Sequence, residues 1–179
     1  MNTGYILLLS FFITGCTTVA RYHKKAQKLN VPIIKAETPF DGKLIKDTIA
    51  YVSAQKLSEY ANTEKVLWIR YWVPYCNNNT KEVELAKKYS DKVDLIWLAV
   101  LWDYPLVQKQ MELYAFPIYY IDQHYEMNRS KLVKKFTSDV LTTEINENVS
   151  SNVFIKNGQI IFQCYSDEIS DALIKELLK

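Results

Sequence analysis

The stretch VDLIWLAVL, residues 93–101, constrains the fold of this chain more than any other. It is apolar at nearly every position, and a short continuous run of that kind fits a strand covered on both faces in the middle of a parallel sheet. Parallel neighbours need a crossover rather than a tight turn. The chain supplies one. KVLWIRYW, residues 65–72, reads as a second buried strand, and TKEVELAKKYSDK, residues 80–92, places Val83, Ala86 and Tyr89 on one face of a helix between the two.

The same alternation of β-rich runs and helical spacing extends from Leu44 to the C-terminus, which argues for an α/β domain. IKDTIAYV suits a strand, and Ser53 is placed to cap a helix through AQKLSEYAN. PLVQKQMELYAF and RSKLVKKF read as helices on either side of a short strand, PIYYID. NVFIKNGQIIFQC reads as a hairpin, because Asn157 and Gly158 supply the positive φ of a tight turn between two alternating runs. The chain closes on SDEISDALIKELLK, a helix with Ser166 or Asp167 as the expected cap.

A length of 179 residues is one domain and a short appendage. Hydrophobic residues make up 49% and glycines number only 4, so the chain is too apolar and too poor in flexible residues to stay disordered. The 22 basic residues nearly balance the 20 acidic ones and are scattered rather than gathered in a stripe, which speaks against nucleic acid as a partner. His23 and His124 are far apart, no Cys/His/Asp cluster has zinc spacing, and neither a metal nor a cofactor is expected.

The N-terminus carries a separate signal. The apolar run from Tyr5 to Ile13 is well short of the roughly 20 residues of a transmembrane helix, which favours an export signal over a span. The ITGC that follows resembles the bacterial lipobox. That resemblance implies a signal peptide over residues 1–15 and Cys16 as a lipidated N-terminus, followed by a tether over residues 16–44 and a domain over residues 45–179. The implied location is the bacterial cell envelope, facing the periplasm and held to the membrane by the lipid.

A strand, helix, strand unit followed by an antiparallel hairpin and a terminal helix is the thioredoxin layout, and here the resemblance reaches particular residues. Tyr71, Trp72, Val73, Pro74, Tyr75 and Cys76 follow the thioredoxin approach to its active site position by position. Glu82 falls where the TlpA-type periplasmic branch often carries a glutamate, and the insert containing YAFPIYYID resembles that branch as well. The fold implied is thioredoxin-like α/β: a central mixed sheet with helices on both faces and a C-terminal hairpin and helix.

On that register the active-site quartet is Cys76, Asn77, Asn78, Asn79. The nucleophilic position is kept, and Asn79 replaces the resolving cysteine. A dithiol enzyme releases its mixed disulfide by attack of the second thiol, which a carboxamide cannot perform. The loop in which the family places a cis-proline reads Val149, Ser150, Ser151, so a trans, differently shaped loop is expected. Arg70 alternates with Trp68 and Trp72 where thioredoxins often bury an acid. A charge there needs a carboxylate, with Glu82 or Glu84 as the candidates, unless it reaches solvent. Cys164 ends the hairpin on an expected sheet edge, too far from Cys76 to bridge it.

Two functions stay open. One is a redox-silent module that binds a protein partner through Pro74, Tyr75, Ser150 and Ser151. The other is a monothiol protein that exchanges with thiol-containing envelope proteins through Cys76.

Overall fold

The computed structural model describes residues 28–73, 80–122, 125 and 128–179. Among these, seven strands form one mixed sheet: β1 (Ile33–Lys35), β2 (Ile49–Val52), β3 (Val66–Trp72), β4 (Val93–Ala99), β5 (Ile118–Ile121), β6 (Asn152–Lys156) and β7 (Gln159–Cys164), in the spatial order β1-β2-β5-β4-β3-β6-β7. The pairings from β1 through β3 are parallel, and the β3–β6 and β6–β7 pairings are antiparallel. The two runs that read as doubly buried strands, β3 and β4, lie side by side in the middle, Val66 opposite Val93 through Trp72 opposite Ala99.

Strand alternation divides the interior in two. Leu67, Ile69 and Tyr71 of β3, with Val73 just past its end, face helices α1 (Ala54–Ala61) and α4 (Arg129–Leu141), meeting Leu57 from the first and Leu132, Phe136 and Val140 from the second. Val66, Trp68 and Trp72 face α2 (Lys81–Lys88), α3 (Tyr104–Tyr114) and α5 (Asp171–Leu177), where Val83, Val107, Met111 and Ile174 cover them. Arg70 shares that second face, a charge among tryptophans.

Local chemistry sets the element ends. Ser53 Oγ accepts from the Lys56 N–H at 3.2 Å and starts α1. Asn128 does the same for α4 through the Lys131 N–H at 3.0 Å. That helix runs five residues past the sequence expectation, to Leu141. Thr137, a poor residue inside a helix, is satisfied there by the Val133 carbonyl at 2.8 Å and the buried Tyr71 hydroxyl at 2.7 Å. The hairpin turn has φ of 51° at Asn157 and 72° at Gly158, the geometry expected of it.

Two expectations are corrected. The terminal helix is capped by Ser170, whose Oγ accepts from the Leu173 N–H at 3.1 Å, and not by Ser166 or Asp167. Residues Ser166–Glu168 form a separate 3-10 turn, closed by the Glu168 N–H on the Tyr165 carbonyl and by the Tyr165 N–H on Glu168 Oε2 at 2.7 Å. The sheet also begins earlier than Leu44: Ile33–Lys35, read as tether, pair with Ile49–Tyr51 as an exposed edge strand.

Candidate functional site

The carboxyl end of β3 carries the site-bearing sequence, so the site is built outward from that strand. Pro74, Tyr75, Cys76, Asn77, Asn78 and Asn79 lie outside the described residues, as do Cys16, His23 and His124. What the structure places is the ground on either side of them. Asn152, at the start of β6, stands opposite Arg70, and the Tyr71 N–H donates to the Ser151 carbonyl at 2.8 Å. Ser150 and Ser151 are thereby brought beside the end of β3, half-buried, with the Ser150 N–H donating to Gln163 Oε1 at 3.1 Å. Among the described residues every peptide bond is trans.

Arg70 and Glu82 meet. Arg70 is 5% exposed and Glu82 2%, and Arg70 Nε donates to Glu82 Oε2 at 3.1 Å. A second guanidinium nitrogen, Nη1, donates to the Tyr71 carbonyl at 3.2 Å. Glu84, the other candidate, is exposed on the far side of α2. The pair joins β3 to the first turn of α2, where a carboxylate is also favoured by the helix dipole. Glu82 Oε1 is buried and makes no hydrogen bond among the described residues. Burial is the main influence on this carboxyl and raises its pKa, while the Arg70 charge and the Ser166 hydroxyl favour the ionised form.

Around the pair lies a polar cluster that the sequence did not reveal. Trp68 Nε1 donates to Asn152 Oδ1 at 2.9 Å, and Asn152 Nδ2 donates to Ser166 Oγ at 3.4 Å. Asn152 is fully buried, although its place in β6, two residues before Phe154 on the same face, calls for an apolar side chain. That mismatch is the signal by which it could have been found.

Cys164 extends the row from Arg70 through Asn152 to β7. It is a free cysteine on the edge strand, as its place in the hairpin suggested, yet 3% exposed. Burial pushes its thiol up to about 12; Glu168, Glu82 and Asp167 add to the rise, and Arg70 opposes it. Such a thiol is not a ready nucleophile.

The opposite face of the sheet carries a groove of about 800 Å³ between α1 and α4, lined by Ser53, Glu59, Asn62, Tyr125, Lys135 and Asp139. Its polar groups pair with one another: the Tyr125 hydroxyl donates to Asp139 at 2.6 Å, and Lys135 bonds the same carboxylate. None of the site residues read from the sequence lines it. Among the described residues no three His, Cys, Asp or Glu side chains gather as metal ligands.

Comparison with known proteins adds nothing to this geometry: no protein-family model, no curated protein and no solved structure matches the chain.

Proposed function

We propose that this chain is a lipid-anchored, thioredoxin-like protein of the bacterial envelope whose thiol site has lost turnover and whose surface around residues 73–79 and 149–152 binds a protein partner. The layout supports the fold: a parallel β3-α2-β4 crossover at the sheet centre, an antiparallel β6–β7 hairpin beside β3, and a terminal helix. The α3-β5 unit occupies the insert that resembles the TlpA-type branch.

The observation that carries the silent reading is the state of Cys164. With Asn79 in the resolving position, release of a mixed disulfide at Cys76 without an external thiol needs another thiolate of the same domain. Cys164 is buried on the second strand beyond β3, with its thiol pushed up to about 12, and cannot serve. The acid under the site is moreover engaged by Arg70, so the buried charge there is balanced rather than free to take a proton from a thiol.

The test is reduction of insulin disulfides by the purified domain with a small-thiol reductant. Rates at background are expected, and Asn79→Cys alone is expected to restore little, because Ser150 and Ser151 still stand in place of the proline loop. Strong turnover by the unaltered protein overturns the proposal. Background turnover accompanied by mixed disulfides trapped on Cys76 in the envelope selects the monothiol function instead.

A further inference from the structure

The apolar side chains that this domain leaves in water are unevenly placed. Among the described residues seven large ones are exposed, and four of them, Leu29, Ile33, Ile34 and Leu44, fall within sixteen consecutive positions. Ile33 and Ile34 belong to β1, the strand at one edge of the sheet; Leu29 lies just before it and Leu44 in the segment that joins it to β2. Single exposed leucines need no account, but a group of them on one sheet edge calls for an occupant.

The edge itself narrows the choice. Another strand fits poorly, because β1 has only three residues and Pro32 before it carries no N–H, so little ladder can form with a second chain. A partner held by negative charge fits poorly too. The exposed Lys28, Lys35, Lys43 and Lys46 stand among Glu37, Asp41 and Asp47, and Lys35 and Lys43 each approach an acid at 4.0 Å. Aliphatic side chains with lysines interspersed suit the interface of a bilayer, where the first reach the acyl boundary and the second keep their heads in water.

Under the anchoring proposal, on which this inference rests, a bilayer is close by. The lipid is carried by Cys16, and the first described residue, Lys28, is twelve positions further on. Twelve residues span at most about 43 Å, and about 20 Å as a flexible chain. The β1 edge is the part of the domain that follows this tether, whereas β7 lies six strand spacings away across the sheet, about 29 Å. Docking within reach of the tether is intramolecular, so the weak affinity of a few aliphatic side chains suffices.

We propose that the β1 edge seats on the membrane surface, with Leu29, Ile33, Ile34 and Leu44 in the lipid interface, and that the sheet thereby stands on its edge. β3 is four strand spacings from β1, so the surface at its carboxyl end is presented about 20 Å above the bilayer.

Hydrogen exchange on vesicles tests this with a tether that does not depend on natural lipidation. The chain from residue 16 onward, which contains every described residue, carries Cys16→Ser and an N-terminal hexahistidine tag. It is bound through a nickel-chelating lipid to phosphatidylcholine vesicles and compared with the same protein in solution. Amides of residues 29–36 are expected to exchange at least about threefold more slowly on the vesicles, as docking for about two thirds of the time requires, while those of β7 keep their solution rates. The double change Ile33→Ser, Ile34→Ser is expected to abolish the difference. Ile161→Ser, which removes the exposed isoleucine of the opposite edge, is expected to leave it intact. Equal rates on vesicles and in solution overturn the proposal, and so does protection that appears only at high surface density, which assigns the edge to a second copy. Mass analysis of the full chain from a bacterium that processes lipoproteins reads the anchor separately. A Cys16 without lipid fails the anchoring proposal and the membrane seat with it, whereas equal exchange rates beside a lipidated Cys16 fail the seat alone.

Discussion

At the scale of the residue, the arginine in the middle of β3 is the decisive choice. A buried guanidinium costs free energy unless it is paired, and removing one partner of such a pair is far worse than removing both. Glu82→Ala is therefore expected to destabilise the protein by about 3–5 kcal/mol, since Arg70 is left charged among Trp68, Trp72 and Trp97. The double change Arg70→Met, Glu82→Leu should recover most of that loss. Urea denaturation of the three proteins measures both effects; equal loss in the single and the double variant would show that packing, not charge, is at stake. The need for a carboxylate opposite Arg70 was legible in the sequence, because alternation along KVLWIRYW buries the charge whatever the fold around it. The Asn152 contact with Trp68 was not, since its partners stand 84 residues apart and only the antiparallel register of β6 on β3 brings them together.

At the scale of the element, ends and junctions hold the helices where the sheet needs them. The hairpin turn docks on the end of α1, with the Gly158 N–H donating to the Ala61 carbonyl at 2.8 Å. A Cβ on Gly158 would stand 2.8 Å from Asn62 Oδ1, and Asn62 is itself held by its bond to the Ser58 carbonyl. Gly158→Ala adds that clash to a left-handed φ of 72° and is expected to cost at least about 1–2 kcal/mol in thermal or urea unfolding. Asp171 links α5 to the end of α2. Its Oδ1 takes Lys88 at 2.6 Å and the Tyr89 hydroxyl at 2.8 Å, and Oδ2 takes Lys175 at 3.0 Å. The hydrogen bonds from Lys88, Lys175 and Tyr89 hold this carboxyl well below the usual range. A depressed folded pKa makes the unfolded chain bind the proton first, so the link stabilises above the ordinary aspartate value and is lost as pH falls below it. Asp171→Asn is accordingly expected to be less stable than the unaltered protein at pH 6, with the gap closing below about pH 4, near the ordinary aspartate value. A gap that stays constant across that range sinks the assignment. The cap of α5 itself was hard to read: Ser166, Asp167 and Ser170 all suit the role, and only the 3-10 turn decides among them. The strand β1 was hidden because Ile33–Lys35 is three residues long, exposed, and preceded by Pro32.

At the scale of the whole molecule, one sheet separates two apolar interiors, and the site lies at the end of the strand that borders both. Cys164 is covered from the α5 side and can be reached by a reagent only when β7 leaves β6 or the domain opens as a whole. In a Cys16→Ser variant, its alkylation by iodoacetamide is therefore expected to be slow at pH 8 and to accelerate with urea in step with unfolding, whereas a surface thiol would label at once and without regard to denaturant. Rapid labelling of Cys164 in the native protein would remove the ground for excluding it as a second thiol, and with it the observation on which the silent site rests. The same substitution tests the other end of the chain. Among the described residues no helix is long and apolar enough to cross a membrane. If ITGC is a lipidation signal, the full chain expressed in a bacterium that processes lipoproteins partitions with membranes, and Cys16→Ser releases it or leaves it uncut. A single acyl chain gives only marginal binding and stable anchoring takes two, so the diacylated form alone should resist a salt wash. Unaltered protein that is soluble, uncut and free of lipid would detach the domain from the envelope.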